Sequence, residues 1–295
     1  MTIDKNNAPI LPVPPAPFAL IVGSAMRGAS ADEVERAIRH MGLMPERIDD
    51  YSDGDGDGDG DGAAGVLPAF RVRFGSLSWI AGPAVDAALD RIDPAHSSTS
   101  LLAASLPRDW RDGRHCWMFI PERAETLGAA TSRAATSGRS TSGAAMARPV
   151  EGRDYLQAML LLVDLFDASH LFWLPALLWS DAPQFRASVA EMLASGMPPV
   201  LHMVAFRRQD RDDGETVGTR GLAWFAGQEL EARIAAGWTV ADIIKRLARL
   251  ALDMMLHGRF SGNRDMQGLA PGETIRLSAD VGQRRVMGVE FGPEN

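Results

Sequence analysis

Apolar runs and their spacing divide the chain into elements. Residues 18–24 (FALIVGS) are apolar almost throughout, as in a strand buried on both faces. A helix follows: Ser30 and Glu33 have capping-box spacing, Val34, Ala37, Ile38 and Met41 keep helical periodicity, and Gly42 stops it. A short strand is expected near 47–51. Residues 70–74 and 77–81 read as a hairpin with Gly75 and Ser76 in the turn, 84–91 as a short helix and 115–121 (HCWMFIP) as a further strand.

The second half is patterned more strongly. Residues 153–168 predict a buried apolar helix, 170–174 a strand, and 182–194 a helix capped by Ser180 or Asp181. Residues 199–207 (PVLHMVAFR) are apolar on both faces and predict a central strand. A polar loop is expected over 209–218 and a strand over 229–234. The helix at 239–257 has a capping box at Thr239 and Asp242. Its apolar stripe is Val240, Ile243, Ile244, Leu247, Ala251 and Met254, and Gly258 stands at its stop. Residues 274–279 and 285–291 alternate as a closing antiparallel pair. Helices interleaved with hairpins predict an α+β fold, with a mixed-sheet α/β arrangement as the alternative: an antiparallel-containing sheet covered by helices, in two similar-sized halves.

Composition adds boundaries. Residues 1–17 are a proline-rich tail with Asp4 and Lys5 and no uninterrupted apolar stretch, so no signal peptide is expected. Residues 18–122 form an N-terminal α/β region containing a flexible Asp-Gly loop at 53–62. Residues 123–149, rich in Ala, Ser, Thr and Gly, predict a disordered insertion, and 150–292 a C-terminal α+β domain. The net charge of −8 is largely local: seven Asp residues fall between 49 and 61, and without them the balance is −8 + 7 = −1. A near-neutral body lacks the basic footprint of a nucleic-acid binder. The apolar stretch at 155–179 is broken by Asp164, Asp167, His170 and Pro175, so no membrane span is expected. Cys116 is the only cysteine, which rules out an internal disulfide and fits a cytoplasmic protein.

Candidate chemistry fails at identifiable positions. The Asp-Gly repeat matches the start of a calcium loop, but position 12 is Ala64, Val66 or Pro68 in its three registers, never Glu. It reads as an anionic spacer, and neither a metal site nor a cofactor is expected. The loop GSAMRGAS places Gly23, Gly28 and Ser30 as a phosphate loop would, with Ala29 in place of the lysine; anion or nucleotide binding at its amides is the remaining possibility. Cys116 and His115 are strand neighbours and point to opposite faces, so the cysteine reads as structural. His202, Glu229 and Glu231 are the candidates for a dispersed hydrolase-like site, and Asp164, Asp167 and His170 gather near one helix end.

The run TRGLAWFAGQELE at 219–231 follows an apolar segment and precedes the long helix. It resembles the bacterial family of domains of unknown function 4261, through Thr219, Arg220, Gly221, Leu222, Phe225, Glu229 and Glu231. Ala226 stands where that family has Gly, and Gln228 where Pro is common. The resemblance is best over 199–291 and implies a fold and a bacterial origin; it carries no activity. The missing catalytic motifs, the well-patterned core and the seven Trp residues lead to an expected function of noncatalytic binding of a protein partner, of immunity or accessory type. An enzyme at His202, Glu229 and Glu231 and an anion binder at 23–30 are the alternatives.

Overall fold

The structure, a computed structural model, describes residues 17–48, 69–75, 77–102, 106–111, 115–122, 152–211, 214–235, 237–279 and 285–292. The Asp-Gly repeat, the 123–149 insertion and all of the proline-rich tail but Pro17 lie outside the described residues. The architecture is α+β, with two mixed sheets and seven helices among the described residues.

The first sheet has eight strands: β1 (Phe18–Ile21), β2 (Met44–Ile48), β3 (Ala69–Phe74), β4 (Leu77–Pro83), β5 (Ser100–Leu101), β6 (Cys116–Pro121), β7 (His170–Trp173) and β8 (Leu178–Asp181). Their order is β2-β3-β4-β6-β1-β7-β8-β5, antiparallel except for the parallel β5–β8 pair. The uninterrupted apolar run of β1 has the cause inferred above, because both of its faces are covered. Phe18 and Leu20 enter the large core. Helices α1 (Ala31–His40), α3 (Gly152–Leu165) and α4 (Ala182–Ser195) pack there. Ala19 and Ile21 enter a smaller core with Cys116, Trp110 and helix α2 (Asp86–Ile92). Phe18 stacks on Phe119 at 4.8 Å, and Trp117 meets Phe166 at 5.0 Å. Such pairs add about 0.5–1.5 kcal/mol each beyond area burial.

The second sheet is built from β9 (Ala205–Arg211), β10 (Gly214–Arg220), β11 (Glu229–Arg233), β12 (Arg264–Gln267), β13 (Thr274–Ala279) and β14 (Val286–Gly292). The order is β12-β13-β14-β11-β10-β9, with β11 and β14 parallel. Short helices α5 (Val200–Met203) and α6 (Ala223–Ala226) flank β9 and β10, and α7 (Val240–His257) covers one face. The capping box at Thr239 and Asp242 starts α7, and Gly258 caps its end. Ile243, Leu247, Ala251 and Met254 are buried against Val217, Leu230, Leu277 and Val289. Each such aliphatic side chain contributes about 1.5–3 kcal/mol.

Three expectations need correction. Residues 199–207 are not a central strand. Pro198 and Pro199 lead into the short helix α5, and β9 starts only at Ala205, at the sheet edge. The segment is apolar on both sides because α5 is wedged into the core, with Val200, His202 and Met203 buried. The polar loop at 209–218 is the tip of the β9–β10 hairpin; its residues are polar because one face and the edge meet solvent. The sheets also do not divide at residue 150. β7 and β8 belong to the first sheet, and one continuous core joins both sheets. No helix among the described residues is long and apolar enough to cross a membrane.

A buried ion pair closes the second sheet. Arg246 of α7 meets Glu273 through two contacts, 2.5 and 3.0 Å, and Glu273 is 2% exposed. The Leu269 and Ala270 amides also donate to this carboxylate, and the Arg246 guanidinium lies 4.2 Å from the Trp238 ring centroid. Burial pushes the Glu273 carboxyl up, but the guanidinium and the two amides outweigh it, leaving the carboxyl below its ordinary 4.5. The stability it supplies is therefore complete above that ordinary value and is lost as pH falls through the lower, folded one. Replacing Glu273 by Gln leaves the part-buried Arg246 cation without its counter-charge and is expected to cost about 1.5–3 kcal/mol. Urea denaturation at pH 7 measures this, and the loss should shrink as pH falls below the ordinary 4.5.

Candidate functional site

The residues of the 219–231 run converge on one structural joint. Glu229 at the start of β11 turns its carboxylate back on the preceding turn. One oxygen accepts from the amides of Gly221 (2.9 Å) and Ala223 (3.0 Å). The other accepts from the Leu222 amide (3.2 Å) and the Thr219 hydroxyl (2.7 Å). These four donors hold the entry to α6, whose amides have no partner inside the helix. Gly221, at φ +96°, approaches the first sheet so closely that a Cβ there would lie 2.8 Å from the Met203 carbonyl oxygen and 2.9 Å from the Ala176 Cβ. Leu222 is fully buried, and Phe225 stacks on Trp173 at 6.4 Å. Arg220 donates to the Ser98 carbonyl, and Glu231 pairs with Arg211. The run thus fastens the second sheet to the first.

His202 lies elsewhere, on α5. It is 4% exposed and packs edge-on against Phe185 at 5.8 Å. Its Nδ1 has no hydrogen-bond partner. Burial pushes its pKa down to about 4, against the opposing pull of Asp181, so the ring is neutral at pH 7. No hydrogen bond joins His202, Glu229 and Glu231, and both carboxylates are already engaged. The three do not assemble the acid–base site expected of a dispersed enzyme.

His202 does line an open groove of about 350 Å³ between α4 and α7, together with Glu191, Met197, Leu201, Arg249 and Leu252. Met197 and Leu201, two large apolar side chains at this recess, are 45% and 50% exposed. Sequence reasoning missed this groove, because its walls come from segments about 50 residues apart.

No family model, no curated protein and no solved structure matches this chain.

The remaining candidates are occupied. In the 23–30 loop the Ser30 amide and hydroxyl both donate to Glu33, which completes the capping box of α1. The Gly23 amide donates to Phe166, and Gly28, at φ +73°, serves the turn. Cys116 is buried in the smaller core, where desolvation pushes its thiol up to about 12. His115 donates to or accepts from no thiol; its Nδ1 lies 2.7 Å from the Asp109 carbonyl oxygen. Asp164 pairs with Arg186, while the His170 Nδ1 meets Ser169. No group of three or more potential metal ligands occurs among the described residues.

Two outcomes follow. Gly221→Ala places a methyl against backbone at a left-handed position and is expected to destabilise the fold by about 3 kcal/mol or more, read as a drop in denaturation midpoint. His202 resists protonation in the folded state but not in the unfolded chain. Stability should therefore fall as pH drops from about 6.5 towards 4, by about 2–3 kcal/mol. His202→Leu should remove that slope from the stability–pH curve.

Proposed function

We propose that the protein is a noncatalytic binding protein of the bacterial cytoplasm, of immunity or accessory type, and that its groove accepts an apolar helical segment of a partner protein. The groove beside α5 carries this reading, with its two half-exposed apolar side chains. Two helices form the walls, and apolar side chains of a partner helix would enter the recess between them. Met197 adapts to varied shapes through its flexible thioether. Glu191 and Arg249 place opposite charges on the rim, which suits a segment with charged flanks and an apolar centre. The tryptophan content contributes little: Trp79, Trp110, Trp117, Trp173 and Trp179 are buried in the cores, and Trp224 is half-exposed. The proposed bacterial source rests on the sequence resemblance alone, which names no chemistry.

A benzophenone amino acid at position 197 and, separately, at 201 tests this in cells of the native host, with position 264 on β12 as control. The expected result is that both groove positions trap the same apolar segment of one partner protein and the control does not. Leu201→Glu should weaken the trapped complex by about thirtyfold or more, as for a central anchor. Absence of a discrete adduct, equal trapping at 264, or trapping only of a second copy of this chain overturns the reading.

A further inference from the structure

β9 and β10 bring two arginines onto one face of the second sheet. Arg207 lies opposite Gly218, and Arg220 is two residues further along the same strand as that glycine. Both side chains reach the segment between α2 and β5. Arg207 Nη1 and Arg220 Nη1 each donate to the same oxygen, the Ser98 carbonyl, at 2.6 Å. Arg207 donates its other Nη to the Ser97 carbonyl. Two cations therefore share one neutral acceptor.

Neighbouring arginines are treated differently. Arg208 pairs with Glu215 and Arg211 with Glu231. Neither Arg207 nor Arg220 forms an ion pair among the described residues. The carboxylate closest in effect, Glu229, already holds four donors. Burial and the charge of Arg207 push Arg220 below its usual value, and Glu229 only partly offsets them. The facing segment is rich in hydroxyls. Ser98 Oγ lies 2.6 Å from His96 Nδ1, and the buried Thr99 Oγ1 has no hydrogen-bond partner.

We propose that Arg207, Arg220 and the 96–99 segment form an oxyanion site that takes the phosphate group of a small phosphorylated molecule. Most N–H donors of the two guanidiniums remain uncommitted, and their planar forks match a tetrahedral phosphate. A phosphate near its dianionic form neutralises both cations, whereas a carboxylate neutralises one. The site lies where the two sheets meet, a common setting for small-ligand binding. It stands independently of the groove.

Calorimetric titration of the full chain with inorganic phosphate, and separately with phenyl phosphate, tests the proposal at pH 7.5 and constant ionic strength. Saturable one-to-one binding is expected, with acetate at least about tenfold weaker. Arg207→Gln and Arg220→Gln should each weaken binding by about tenfold or more, and Arg208→Gln should leave it unchanged. Tighter binding of phenyl phosphate supports a phosphate ester as ligand; tighter binding of the inorganic ion supports free phosphate. Because both arginines also anchor the 96–99 segment, hydrogen exchange of the wild-type protein provides a second measurement, and phosphate should protect 96–99. Absence of saturable binding, an equal loss in Arg208→Gln, or protection confined to other segments overturns the proposal.

Discussion

Where the two sheets meet, the backbone makes a contact that tolerates no side chain. Gly221 meets the Met203 carbonyl and Ala176 at a distance where a Cβ would collide. The approach sits beside the continuous core that joins the two sheets. Glu229 keeps the turn in place with four hydrogen bonds, and the Trp173 indole fixes the other side by donating to the Met203 carbonyl at 3.1 Å. Phe225 then stacks on the same indole. A carboxylate accepting several amides is a charge-assisted cap, stronger than neutral hydrogen bonds. Here that cap holds the turn between β10 and β11.

The first sheet supplies the rigid support. Its central strands bury both faces, so neither face of β1 or β7 can move without disturbing a core. The tryptophans are the large units of those cores. Trp173 and Trp179 each satisfy the indole N–H with a backbone carbonyl, of Met203 and Ile92 respectively. Each bond ties the sheet to an element packed on it, so the aromatic side chains act as both filler and cross-link.

Both proposed sites border this junction. The groove is walled by α5, the segment that delivers the Met203 carbonyl to the joint. The arginine pair projects from β9, which follows α5, and from β10, which leads into that turn. A joint that fixes α5 and β10 thus preorganises a recess on one side and two guanidiniums on the other. Preorganised groups bind without an ordering cost, which favours ligand sites at such places.

Much of the architecture was legible in the sequence. The capping boxes at Ser30 and Thr239, the stripe of α7, the hairpin at Gly75 and the two-faced burial of β1 arise from bonds and periodicities within a few residues, and a local pattern records them directly. Missing motif positions, such as Ala29, were equally plain. Tertiary structure alone decided the rest. It split 199–207 into a helix and an edge strand, because an apolar segment of that length fits either element and packing chooses between them. It placed β7 and β8 in the first sheet, paired Arg246 with Glu273 and turned Glu229 onto its own turn. It also brought Arg207 and Arg220 to the carbonyl of Ser98. These depend on groups that meet only when distant segments fold together, and no local spacing encodes such a meeting.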